Sequence, residues 1–230
     1  NNLIFTNNNI KDSKENGIFL SNVNGGKIEL NEISDSALHG IQLSGSNIDI
    51  LNNTLTNSIN YGIVLTSNSS AIMDNNIISN TGKDGIFVNA CSSTSISGNT
   101  FSFITENAID TYQADISNIS GNIIKDSQID GIHISSSKIE NINDNQISDA
   151  VNNGINIVTK SEVSNISSNT IENAKIYGIV ADDSKIIAQK NIINKSVNHG
   201  IMIKNNASAT VSENQVNNAG SNGIHINSGY

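Results

Sequence analysis

Asp110 and His133 stand 23 residues apart, and a second polar column, Asp84, Asn107 and Asp130, keeps the same interval three residues upstream. If 23 residues close one circuit of a coil, Asp110 lies directly beneath His133, about 4.8 Å away along the stack. A carboxylate and an imidazole at that spacing can share a proton. As base and acid they suit β-elimination or epimerisation of a uronate, or glycoside hydrolysis, with Tyr112 as an auxiliary donor. The candidate catalytic set is therefore Asp110, Asp130, His133 and Tyr112. A metal held by Asp110, Asp130 and His133 is a weaker alternative, and neither a metal nor any other cofactor is expected. The competing interpretation is an ordinary polar outer face crossed by one degenerate repeat.

A second candidate is a contact ridge. Phe19, Val64, Phe87, Val180 and Met202 occupy one outward column, flanked by Tyr61, Tyr177, His39 and His199. Outward apolar residues recurring on one ridge suit a glycan or a neighbouring protein. Gln42, Asp110, His133, Asn156 and His225 interrupt the column, and isolated exposed apolar residues need no functional explanation.

Both candidates depend on a repeat. An Asn followed nine residues later by Gly recurs as Asn8/Gly17, Asn31/Gly40, Asn53/Gly62, Asn76/Gly85, Asn122/Gly131, Asn145/Gly154, Asn169/Gly178, Asn191/Gly200 and Asn214/Gly223. A tenth copy, Asn99/Ala108, loses the Gly. Successive Asn positions lie 22 to 24 residues apart. The position after the Gly is Ile in every copy, from Ile18 to Ile224, and the position two further on is mostly aliphatic. That local period of two marks strands with one buried face. With the apolar columns on either side of the Asn, each repeat holds three short strands.

Such strands cannot bury their apolar faces alone. Stacking pairs every strand in parallel and makes one continuous core. The fold class is therefore all-β: a single-stranded parallel β-helix, or β-solenoid, of about ten turns filling residues 1–230 as one domain. An inward stack of Asn8, Asn31, Asn53, Asn76, Asn99, Asn122, Asn145, Asn169, Asn191 and Asn214 lets each amide donate and accept along the column. The fifth unit breaks the pattern, with Ala108 for Gly, Thr111 for an aliphatic, and Glu106, Asp110, Tyr112 and Asp115 close together. Breaks in a consistent pattern are where function is expected.

Units such as Asn122-Ile-Ile-Lys-Asp-Ser-Gln-Ile-Asp-Gly-Ile-His-Ile134 resemble the parallel β-helix repeat of the pectin-lyase-like superfamily, and the resemblance covers the whole chain. It implies a right-handed coil with three sheets, in secreted or surface proteins that act on or bind polysaccharides. Departures from the family narrow its chemistry. Every one of the 12 cationic residues is Lys, so the arginine base of the resembling pectate lyases has no counterpart. The absence of Pro removes the Asp-Pro-His-Asp signature of the resembling alginate epimerases. His39-Gly40 and His199-Gly200 match the polygalacturonase Gly-His-Gly element only in part.

Composition excludes other classes. One Cys in 230 residues permits no internal disulfide and no cysteine-based zinc module. A net charge of −9 with scattered Lys argues against nucleic acid, and no apolar run reaches the roughly 20 residues of a membrane span. The leading expectation is an extracellular or cell-surface rod with a structural or adhesive role. Its partners are copies of itself or flanking repeats end to end, with polysaccharide as the other partner class. Joining Tyr230 to Asn1 of another copy gives a Gly-to-Asn interval of 15, within the 13 to 15 found inside the chain. The alternative is a polysaccharide lyase, epimerase or hydrolase, or a carbohydrate-binding module.

Overall fold

The computed structural model describes residues 3–227; Asn1 and Tyr230, on which the end-to-end join depends, lie outside the described residues. Thirty strands occupy them and wind into three ten-stranded sheets. All ladders are parallel, and each strand between the end turns pairs with its counterparts one turn below and one turn above. Ile109–Tyr112, for example, lies between Ile86–Asn89 and Ile132–Ser135. The coil has three strands per turn, as the repeat predicts, and is right-handed, as the resemblance implies.

The period of two in each strand decides what fills the axis. In the third sheet Ile86, Ile109, Ile132, Ile155, Ile179 and Ile201 point inward and are wholly buried, stacked one above another. Each contributes about 1.5–3 kcal/mol on burial. Corners between sheets need one left-handed residue, and Asp12, Asp35, Asn57 and Asn80 take it with φ of 54–57°. Their short polar side chains tolerate that conformation.

The Asn column is hydrogen-bonded as predicted and is buried from Asn31 to Asn191, while the end rungs Asn8 and Asn214 are exposed and half-buried. Asn99 Nδ2 donates to Asn122 Oδ1 at 3.1 Å, and Asn122 Nδ2 donates to Asn145 Oδ1 at 2.9 Å. From Asn31 to Asn214 each Oδ1 also accepts a backbone N–H from the turn below, as Asn122 Oδ1 does from Asn99 at 2.9 Å. The Gly column has a steric cause. A Cβ at Gly131 would lie 2.5 Å from Ile147 Cγ2 and 2.7 Å from the Gly154 carbonyl.

The fifth turn departs from this packing by exchange of volume. Phe101 and Ile104 bring bulk into the core, and Thr111 takes the place of a larger aliphatic. A volume-conserving exchange of this kind is tolerated, but it leaves the buried Thr111 Oγ1 without a hydrogen-bond partner. Cys91 is a buried thiol whose Sγ donates to the Asn89 carbonyl.

Candidate functional site

Two adjacent columns on the outer face of the third sheet carry the candidate chemistry. One is the residue before each Gly, at the entry to the sheet. The other is the first outward position of each strand. In the outward column Phe87, Asp110, His133 and Asn156 are consecutive partners, as the 23-residue register requires. His133 Nδ1 lies 2.8 Å from Asp110 Oδ1, with both groups partly exposed. Burial pulls the His133 pKa down, but the Asp110 hydrogen bond and the charges of Asp110, Asp130 and Asp84 outweigh it and hold the imidazole above its ordinary value.

Beneath that pair runs a second ladder. Asn107 donates its backbone N–H and its amide to Asp84 Oδ1 at 2.8 and 3.0 Å. Asn107 Oδ1 in turn accepts the Asp130 backbone N–H, and Asp130 Oδ1 accepts two donors from Asn153. Asp130 Oδ2 takes the Asn156 amide at 2.7 Å. Asp84 and Asp130 are each only 2% exposed. Desolvation, reinforced by the Asp110 and Glu106 charges, pushes Asp84 up to about 7. Burial likewise raises Asp130, against the hydrogen bonds from Asn156 and Asn153.

Aromatic stacks frame this polar window on both sides. Below it His39, Tyr61 and Phe87 stack with centroids 5.2 and 5.1 Å apart, and the Lys83 ammonium lies 5.4 Å from the Tyr61 ring centre. Above it Tyr177 stacks on His199 at 5.6 Å, and His225 meets His199 edge-on with Nδ1 2.9 Å from its Nε2. The order along the inner column is thus aromatic, aromatic, four carboxylates or amides, aromatic, aromatic.

Three of the sequence-derived positions need correction. Val64, Val180 and Met202, expected on an exposed ridge, are buried. Each lies in register beside a longer neighbour, such as Phe87 beside Val64 and His225 beside Met202, and the bulkier rungs take the surface. Phe19 is 53% exposed but sits three turns from the window's first outward rung, Phe87. Tyr112 shares the outer face with Asp110 and is 41% exposed, yet no hydrogen bond joins it to Asp110 or His133 among the described residues. Asp130 belongs to the buried ladder and supports the site from below. Among the described residues no three His, Cys, Asp or Glu side chains converge as metal ligands.

A family model described as the right-handed beta helix region matches residues 1–141, 45–189 and 118–230 in overlapping segments that cover the chain. The chain belongs to the right-handed β-helix family. No curated protein matches this β-helix by sequence. Among solved structures it is similar to the catalytic domain of a GH87 α-1,3-glucanase in complex with nigerose, with TM-score 0.67 and 16% identity over 89% of the chain. It is also similar to PfbA, a surface adhesin of Streptococcus pneumoniae, with TM-score 0.55 and 14% identity over 90% of the chain. The β-helix spans 47% of the glucanase domain and 62% of the adhesin. At those identities the likeness is one of fold.

Asp84 and Asn107 were read from the sequence as a polar column but not placed in the catalytic set, and Asn153 and the stacking of the aromatic residues were not singled out. A signal for them existed. The residues immediately before the Gly column, read in order, run Asn16, His39, Tyr61, Asp84, Asn107, Asp130, Asn153, Tyr177, His199 and Asn222, and the framed pattern is visible in that line.

Proposed function

We propose that the chain is an extracellular or cell-surface β-solenoid that holds a polysaccharide lengthwise along its third sheet, in an adhesive role. The observation that carries this is the polar window of Asp, Asn and His framed on one strip by the Tyr61/Phe87 and Tyr177/His199 stacks. Sugars offer apolar ring faces and hydroxyl groups together, which aromatic and amide side chains match. Asp110 lies in the window of a chain with a net charge of −9, and the repulsion this exerts on anions favours an uncharged glycan over a uronate. Turns of 22 to 24 residues leave no long insertions to wall the strip into a cleft, which suits binding more than turnover. The surface adhesin and the glucanase among its structural relatives are compatible with a surface or extracellular setting.

One observation favours hydrolysis as the second possibility. Asp84 holds a proton to about pH 7 near the Asp110 and His133 pair, so a potential acid and a potential base lie close together. Incubation with neutral α-1,3- and β-1,4-glucans separates the two. Adhesion predicts saturable retention, weakened about tenfold by Tyr61→Ala, about 1.4 kcal/mol, with no new reducing ends. Reducing ends that accumulate with the native chain and vanish with Asp110→Asn would replace adhesion by hydrolysis.

A further inference from the structure

The window between the two frames has a fixed length. Along the inner column Tyr61 and Tyr177 enclose Asp84, Asn107, Asp130 and Asn153, so five coil steps separate the two tyrosines. At about 4.8 Å a step they stand about 24 Å apart. Along the outward column Phe87 and Val180 enclose Asp110, His133 and Asn156, a span of four steps. The aromatic ends are set by the inner column, whose five steps exceed the four of the outward column, where buried Val180 closes the upper end. Parallel strands run unbroken from one frame to the other, with no hinge between them, so the spacing cannot adjust to a shorter ligand.

A pyranose ring with its linking oxygen advances about 5 Å along an extended glycan, close to one coil step. Four rings then lie over the window and one meets each aromatic frame. A shorter oligomer reaches only one frame. Once a ligand spans both, the second contact becomes intramolecular and its effective concentration multiplies the affinity. We propose that the two stacks act as a single bridged site that selects linear, uncharged glycan segments of about six sugar rings or more. The inference rests on the glycan-binding function proposed above and adds a length threshold to it.

The test is calorimetric titration of the full chain with α-1,3- and β-1,4-linked gluco-oligosaccharides of two to eight residues. In the series that binds, affinity rises at least about tenfold between four and six residues and then levels off. Tyr177→Ala flattens that rise, and Tyr177→Phe, which keeps the ring, retains it. Unchanged far-ultraviolet circular dichroism shows that both variants fold. Affinity that levels off at two or three residues, or a rise that survives Tyr177→Ala, overturns the bridged site and leaves glycan binding standing. Failure of both series to bind overturns the two together.

Discussion

At the scale of single residues, the informative group is Asp84. It stands in a ladder whose other rungs include Asn107 and Asn153, and an amide would accept the same two bonds at Oδ1. A carboxylate there is a chemical choice with a measurable consequence. Its proton is released near pH 7 in the folded chain, against 3.8 ordinarily. As pH rises between those values, the unfolded chain gives up the proton and the native state keeps it. Stability therefore falls through that window and is level above it. Asp84→Asn removes the dependence. The variant is expected to melt with the native chain at or below pH 4 and above it at pH 8, by about 1–4 kcal/mol since each pKa unit is worth about 1.4. Equal melting at both pH values in differential scanning calorimetry would show that Asp84 ionises freely.

At the scale of elements, the two kinds of amide ladder separate structural from decorative hydrogen bonding. Asn122 donates to Ile96 O and Asn145 Oδ1, and accepts from Asn99, all away from solvent. Asn122→Ala leaves several buried groups unpaired, each costing about 1–3 kcal/mol. Urea denaturation should show a loss of about 2–5 kcal/mol. Asn141 belongs to a surface ladder, with a 3.3 Å bond to Asn118 on the outer face of the first sheet. Asn141→Ala should lie within about 0.5 kcal/mol of the native chain. If the two variants prove equally damaging, burial is not what gives the inner ladder its value. Phe103 belongs to this scale too. It takes the corner φ of 55° that Asn and Asp fill in neighbouring turns and projects 62% exposed, and nothing in the structure explains the choice.

At the scale of the whole molecule, the repeat made the architecture legible. The 22-to-24-residue interval between successive Asn sets the turn, and the Ile column after each Gly sets the buried face. Together they place Asp110 beneath His133, where the structure has them 2.8 Å apart. Exposure was harder to foresee. Val64, Val180 and Met202 alternate outward in their strands but are covered, because shielding depends on side-chain length one rung away, which strand periodicity does not encode. The elevated Asp84 was hidden for a related reason. Its elevation comes from burial at the sheet entrance together with the Asp110 and Glu106 charges, a convergence of three positions that no single column reveals.

The strip on the third sheet ties these scales together, and amide chemical-shift mapping examines it without altering a residue. Titrating isotope-labelled chain with a neutral glucan hexasaccharide should move signals of Tyr61, Phe87, Asp110, His133, Asn156 and Tyr177 along one line, and leave those of Asn118, Asn141 and Asn165 on the first sheet in place. Shifts concentrated on the first or second sheet, or none at saturating sugar, would contradict a polysaccharide-binding third face.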